Sequence, residues 1–141
     1  MTGHLGPTDQ QLRDFRLLDQ DGPIEMLNLV RFREDAAYDR DHPFAAKNLS
    51  GREAYYVYLA ASEAIVRRYG GDVIWTAAPD TIFIGPEGDA WDLAFIVHYK
   101  VAKRFLDMIV DEDYRGAATH RQAALADSRL IRCTPIARQK D

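Results

Sequence analysis

Residues 91–99 form the stretch that most limits the folds open to this chain. Side chains on a β-strand alternate between two faces. One face of this stretch would carry Trp91, Leu93, Phe95, Val97 and Tyr99, and the other would carry Asp92, Ala94, Ile96 and His98. Both faces are largely apolar, and a strand of that kind needs cover on both sides. We therefore expect the chain's own helices to cover one face and a second layer to cover the other.

The flanking segments predict the order of the remaining elements. Two capping-box patterns indicate helix starts and a glycine pair indicates a helix end; they are Thr8 with Gln11, Ser50 with Glu53, and Gly70-Gly71. Four strands are predicted: 24–32, then 72–78 with 81–84 as one strand interrupted at Pro79, then 91–99 and 129–134. The segment after Tyr99 has helical spacing and predicts a helix in two pieces, with Leu125 on the buried stripe of the second.

This order predicts an α+β protein with a ferredoxin-like fold. A helix is followed by β-α-β-β-α-β, which gives four antiparallel strands with the helices on one face. We expect an N-terminal extension with a short helix over 1–22, the ferredoxin-like domain over 23–136 and a C-terminal tail over 137–141. The uncovered sheet face would expose a large apolar patch, and such patches usually mark interfaces. A homodimer whose two sheets face each other, a dimeric α/β barrel, is the economical solution.

Length, charge and cysteine content narrow the class of protein. A chain of 141 residues with a net charge of -4 is one domain without the basic groove that nucleic acids require. Its single cysteine, Cys133, excludes an intrachain disulfide. The sequence has no apolar run long enough for a bilayer and no secretory leader pattern at its start. We expect a cytoplasmic protein that binds neither nucleic acid nor membrane.

Three polar side chains stand in otherwise apolar strands. Asn28 must either be hydrogen-bonded to a neighbouring backbone group or face a polar cavity. Arg31 could hold a substrate carboxylate or pair with Glu34 or Asp35. His98 could serve as a general base or ligand, or as a core histidine bonded to backbone. Residue type alone leaves each pair of alternatives open.

The last helix and the aromatic residues supply further candidates. Arg121 falls near the centre of an apolar helical stripe, with His120 at its edge. An arginine in that position must pair, extend to solvent or reach a cavity, so Arg121 is a candidate anion site with a structural ion pair as the alternative. Aromatic side chains, among them Tyr38, Trp75 and Tyr99, would wall a pocket for an apolar or aromatic molecule or would be ordinary core.

Other patterns argue against familiar chemistry. The spacing of Asp39, Asp41 and His42 matches neither a calcium loop nor a zinc motif. The glycine-containing turn at 85–88 precedes a strand, whereas phosphate binding uses the start of a helix. Cys133 lies in an apolar strand pattern typical of an inert thiol. We expect no metal and no cofactor.

Several motifs resemble the domain-of-unknown-function family numbered thirteen-thirty. They are Asn28-Leu29-Val30-Arg31-Phe32, Ala37-Tyr38, Ser50-Gly51, residues 55–58, Tyr69-Gly70-Gly71 and residues 91–99. The family is similar to the dimeric α/β-barrel superfamily, and the resemblance covers roughly residues 24–135. The chain departs from it at 99–103, where relatives commonly start the helix with proline and serine. The resemblance implies no settled reaction, because the superfamily includes cofactor-free monooxygenases, isomerases, haem-dependent enzymes and effector-binding modules.

We expect a small-molecule pocket protein, with the cavity between sheet and helices closed by residues 33–49. As a cofactor-independent monooxygenase- or isomerase-like enzyme, it would use His98 as proton acceptor, Asn28 to polarise an oxygen, and Arg31 or Arg121 as substrate anchor. A non-catalytic ligand-binding or sensor dimer is one alternative. Haem binding through His98 or His120 is another.

Overall fold

The computed structural model describes residues 3–138. Residues 1 and 2 of the predicted extension and residues 139–141 of the predicted tail lie outside that range. The helices are α1 Asp9–Leu17, α2 Gly51–Arg68, α3 Ala102–Ile109 and α4 Glu112–Ala124, and a 3-10 turn covers Ala45–Lys47. The strands are β1 Ile24–Phe32, β2 Gly71–Ala77, β3 Leu93–Tyr99 and β4 Leu125–Cys133.

The four strands form one antiparallel sheet in the order β2-β3-β1-β4. β1 pairs with β3 on one side and with β4 on the other. The helical connections, from β1 to β2 and from β3 to β4, each pass over one strand of the sheet. The helices cover one face, which confirms the predicted α+β, ferredoxin-like fold.

The polar signals at the helix ends form as the sequence predicts. Thr8 and Ser50 each accept a hydrogen bond from the backbone three residues on, and Gln11 and Glu53 bond back to them, so both capping boxes are complete. After α2, Gly70 has a φ of +80°, a left-handed conformation that favours glycine and ends the helix.

Two predicted elements are wrong. Residues 81–84 are not a strand but part of an exposed connection between β2 and β3, with the Phe83 side chain 94% exposed. Pro79 lacks a donor for the sheet, and strand pairing does not resume beyond it. Leu125 is the first residue of β4 rather than the end of a helix, because it pairs with Phe32 beside a bulge in β1. Local periodicity favoured the helix, and this long-range pairing outweighs it.

The covered face of the sheet holds the core. Register aligns the side chains in rows across the strands, so Asn28 lies between Phe95 on β3 and Leu130 on β4. The largest fully buried side chains are Tyr55, Ile24, Met108, Leu125 and Val30, all on this side or in the helices that cover it.

The N-terminal segment is tied to the edge of this core. The His4 backbone N–H donates to Asp127 Oδ1 at 2.8 Å, and Ser128 Oγ donates to the His4 carbonyl at 2.6 Å. The ring of Phe15 on α1 packs against Phe105 on α3 at 5.6 Å between centroids. The segment therefore spans from β4 to α3 along one side of the domain.

Candidate functional site

A cavity of about 1330 Å³ lies between the covered face of the sheet and the helices. Met26, Phe95 and Val97 form its floor on the sheet, and Leu59 and Met108 belong to the helices above. The lining surface is mainly apolar, with polar side chains contributed by several elements. Ligand pockets have this composition, and their usual volume is about 300–1,000 Å³.

The N-terminal segment closes the side of this cavity, and the predicted closing element is wrong. Residues 4–8 together with Leu12 and Phe15 of α1 line the cavity, whereas no residue of 33–49 does. The 33–49 connection lies against α4 instead, where the Ala37 N–H donates to the Ala123 carbonyl at 2.8 Å. A surface loop without strong periodicity gave no signal for which side of α4 it would cover.

Arg121 lies on α4 beside the cavity and is half-buried. Its Nη1 donates to the Leu5 carbonyl at 2.6 Å, and its Nη2 donates to Ser128 Oγ at 3.1 Å. Both partners are neutral. The predicted structural ion pair is absent, since no carboxylate of residues 3–138 forms a salt bridge with Arg121. Of the two alternatives open from the sequence, the structure favours a cation that reaches a cavity.

Two tyrosine hydroxyls add polar atoms to the wall. Tyr58 on α2 and Tyr114 on α4 are hydrogen-bonded at 2.8 Å between their oxygens, and both residues line the cavity. Burial holds the pKa of Tyr58 well above its usual value. Tyr114 and Ser128 were missed as site residues. Tyr114 fitted the apolar stripe of its helix, and Ser128 preceded the predicted strand.

Asn28 and Tyr99 also face the cavity, as pocket residues. Asn28 is buried, and its Nδ2 donates to the Met26 carbonyl two residues away at 3.1 Å. The Tyr99 hydroxyl lies 3.8 Å from the Met108 sulfur, and burial raises the pKa of this phenol. Both alternatives weighed for Asn28 therefore hold together, since it bonds to backbone and also faces the cavity.

Three other predicted site residues lie on the opposite, uncovered face of the sheet. His98 Nδ1 lies 3.3 Å from Glu25 Oε2, and neither residue lines the cavity. Arg31 donates from Nε to the Ala90 carbonyl at 2.8 Å and its guanidinium lies over the Trp91 ring at 5.1 Å. Trp75 is half-exposed. The sheet thus separates His98 and Arg31 from Asn28, because side chains alternate along the strand.

Tyr38 lies in a third place, an aromatic cluster on the outer side of α4. Its hydroxyl is 2.7 Å from His120 Nδ1, and its ring packs at a tilt against the His42 ring, with 4.6 Å between the centroids. His42 Nε2 in turn contacts Thr119 Oγ1 at 3.0 Å. Burial and the neighbouring His42 lower the pKa of His120. Within residues 3–138 no group of three His, Cys, Asp or Glu side chains is arranged to hold a metal ion.

The fold and the cavity define an α+β, ferredoxin-like protein with a helix-covered pocket. Two crystal structures of the RPA0582 protein, one of them described as of unknown function and from Rhodopseudomonas palustris, are 44% and 43% identical to this chain. They cover 99% and 97% of it and are themselves covered over 100% of their length, with TM-scores of 0.90 and 0.87. This chain belongs to the same family as RPA0582.

More distant structures share the fold alone. An uncharacterised NIPSNAP-like domain protein from Burkholderia xenovorans is 14% identical over 86% of this chain and 91% of its own, with a TM-score of 0.53. A dabb family protein from Mesorhizobium loti is 12% identical over 82% of this chain and 99% of its own, with a TM-score of 0.50. No protein-family model matches the chain, and no curated protein does. Among residues 3–138, no helix is both long enough and apolar enough to cross a bilayer.

Proposed function

We propose that this protein is a homodimer that binds a small, largely apolar molecule in the cavity of each protomer. The observation that carries the proposal is the cavity itself. The cavity has a volume of about 1330 Å³ and a mainly apolar lining with several polar side chains, which is typical of a ligand pocket. An empty space of this size would also lose the packing contacts that stabilise a protein interior. Asn28, Tyr99 and Arg121 are its substrate-binding residues.

Binding of a neutral fluorescent probe tests this proposal. N-phenyl-1-naphthylamine should bind the wild-type protein with a saturable rise in fluorescence. Ala118→Phe places a ring in the cavity, because Ala118 lines it from α4, and should weaken probe binding at least tenfold, about 1.4 kcal/mol. Ala64→Phe makes the same change at an exposed position of α2 outside the cavity and should leave binding unchanged. Equal binding by both variants would remove the cavity as the site.

The dimer is inferred from the uncovered face of the sheet. Trp75, Ile96, Leu27 and Ile131 are aligned in one row across all four strands. In one chain Trp75 is 48% and Ile131 46% exposed, and no helix of residues 3–138 covers this row. A second copy would cover the row symmetrically, sheet against sheet.

If the protein were an enzyme, its predicted catalytic and binding residues would lie in two separate spaces. Asn28 would polarise a ligand oxygen and Arg121 would anchor the ligand inside the cavity. His98, Arg31 and Trp75 would instead line the space between the two sheets of the dimer, where His98 would act as a proton acceptor on a different molecule. The sheet keeps the two groups apart, so binding has better support than catalysis by all of these residues together. His98→Ala should leave turnover of any cavity-bound substrate unchanged.

The other expectations have less support. A sensor role is the non-catalytic form of the same binding proposal. Haem ligation by His98 or His120 would take place outside the cavity, since neither histidine lines it. Tyr38 would contact a ligand only in the cluster beside α4. Kinship with the family numbered thirteen-thirty rests on the shared motifs, and the cytoplasmic location and the lack of nucleic-acid binding stay predictions.

A further inference from the structure

Six arginines line the cavity, and Arg121 is one of two that are half-buried and have no acidic partner; the other is Arg132. Arg129 is paired with Asp127 at 2.8 Å, and Arg67 with Glu63 at 3.1 Å. Among residues 3–138, no carboxylate forms a salt bridge with Arg121 or with Arg132. Arg132 donates to the Asp19 carbonyl and lies over the Phe15 ring, at the other end of β4 from Ser128, the partner of Arg121. A half-buried charge without an opposite charge is unfavourable, and an anion beside it would relieve that cost.

The two groups that hold Arg121 leave part of its guanidinium free for a ligand. The Leu5 carbonyl and Ser128 Oγ each accept one hydrogen bond. A guanidinium has about five N–H donors in a planar fork, which suits a carboxylate with two parallel bonds. The charge of Arg121 acts on two buried tyrosines of α2. Burial is the main cause that raises the pKa of Tyr55 and Tyr58, and the positive charge of Arg121 lowers the pKa of both.

The surroundings of Arg121 limit what else the anion can carry. Neutral donors lie in the same cavity, namely the hydroxyls of Tyr58 and Tyr114 and the amide of Asn28. Most of the remaining lining surface is apolar, with Phe95, Val97 and Met108 among its side chains. Of the charged residues in the lining, Arg67 and Glu63 pair with each other.

Arg132, the other half-buried arginine without an acidic partner, is four residues along β4 from Ser128, about 13 Å in an extended strand, so a head group at Arg121 meets one cation. A phosphate ester with nearly two charges would leave one of them without a partner there.

We propose that the ligand of this cavity is a monocarboxylic acid with an apolar body, whose carboxylate binds Arg121. The inference rests on the proposed function, because it names the class of molecule that the cavity holds. The body lies along Phe95 and Val97 toward α3, and the volume accommodates a molecule of drug size rather than a single ring. The segment of residues 4–8, bonded to Arg121 through Leu5, closes over the carboxylate end.

Matched ligands that differ only in the head group test the inference. Displacement of N-phenyl-1-naphthylamine from the wild-type protein is measured at neutral pH with decanoate, decanamide and decanol. Decanoate should bind roughly tenfold to a hundredfold more tightly than decanamide, which is the usual effect of a hydrogen bond to a charged group. Equal binding of the three would overturn the carboxylate assignment and leave the apolar cavity in place. Failure of the probe and all three ligands to bind would overturn the proposed function as well.

Substitutions of Arg121 test whether this residue causes the preference for decanoate over decanamide. Arg121→Gln should abolish the preference for decanoate over decanamide while decanol binds as before, and Arg121→Lys should keep part of it. Arg40→Gln removes one positive charge from an exposed position outside the cavity and should keep all of it. A preference that survives in Arg121→Gln, or that is lost in Arg40→Gln, would assign the effect to the overall charge and overturn the inference. If Arg121→Gln does not fold, Arg121→Lys and the comparison of decanoate with decanamide on the wild type still test the inference.

Discussion

The hydroxyl oxygens of Tyr58 on α2 and Tyr114 on α4 are 2.8 Å apart, and this bond joins the two helices beside the cavity. Burial raises the pKa of the Tyr58 phenol. Tyr114→Phe removes the partner of a buried hydroxyl, so it should lower the free energy of unfolding by about 1–3 kcal/mol. Urea unfolding of the wild type and the variant measures the difference.

A double-mutant cycle separates this bond from packing. Tyr58→Phe combined with Tyr114→Phe removes both hydroxyls and should cost less than the sum of the single changes, because no unpaired group remains. Tyr56→Phe removes a hydroxyl from a half-exposed ring on the same helix and should change stability by less than about 0.5 kcal/mol. Strictly additive single changes would mean that the two hydroxyls do not stabilise each other.

Leu27 lies at the centre of the uncovered sheet face, directly opposite Ile96 and Ile131 on the neighbouring strands. Light scattering should give the wild type twice the chain mass of 16.0 kDa. Leu27→Asp places a charge in the proposed interface without touching the helix-covered core, so it should yield monomers.

The matched control is Leu17→Asp, which changes the same residue type at an 84% exposed position of α1 and should leave the dimer intact. A monomeric wild type at micromolar concentration would contradict the sheet-to-sheet dimer. So would a Leu27→Asp variant that stays dimeric.

Much of the fold could be predicted from the sequence, because for most elements the local sequence pattern and the long-range strand pairing indicate the same structure. The capping boxes at Thr8 and Ser50 and the alternation along β1 each fix an element from neighbouring residues alone. Leu125 is the counterexample. Its local pattern predicts a helix, but its pairing with Phe32 across the sheet makes it the first residue of β4. Short-range patterns do not carry that information.

The candidate site was predicted only in part, for a physical reason of the same kind. Asn28 and Arg31 are three residues apart in β1, so strand alternation puts their side chains on opposite faces, as the structure shows. Which face holds the cavity depends on how the helices pack, and no residue pattern encodes that. The role of residues 4–8 was missed because a short segment without periodicity gives no sign that its Leu5 carbonyl accepts a hydrogen bond from Arg121.

His120 gives the stability of the 33–49 connection a pH dependence. Burial, and then the neighbouring His42, hold its pKa below the ordinary value of 6.5. The unfolded chain therefore takes up the proton first as pH falls, so stability is full above pH 6.5 and decreases from there down to the lowered pKa. Urea midpoints between pH about 7 and about 5 should fall more steeply for the wild type than for His120→Gln.

Two measurements check this assignment. Titration of the His120 ring by NMR should give a midpoint below that of a histidine in an unfolded peptide. His4→Gln removes an exposed histidine whose contacts to Asp127 and Ser128 use only its backbone, and it should keep the wild-type slope. If the urea midpoint of His120→Gln falls with pH as steeply as that of the wild type, another group causes the loss of stability.

Phe15 connects the N-terminal segment to the rest of the domain and lines the cavity. Its ring packs on Phe105 and lies under the Arg132 guanidinium at 4.6 Å. Because Phe15 is only half-buried, Phe15→Ala should cost about 1–3 kcal/mol of unfolding free energy, less than the usual 3–5 for a fully buried phenylalanine. The same change opens the cavity wall, so stopped-flow dilution should show faster release of bound N-phenyl-1-naphthylamine. Leu17→Ala on the outer side of α1 should alter neither quantity, and identical release rates in Phe15→Ala and the wild type would mean that ligands leave by another route.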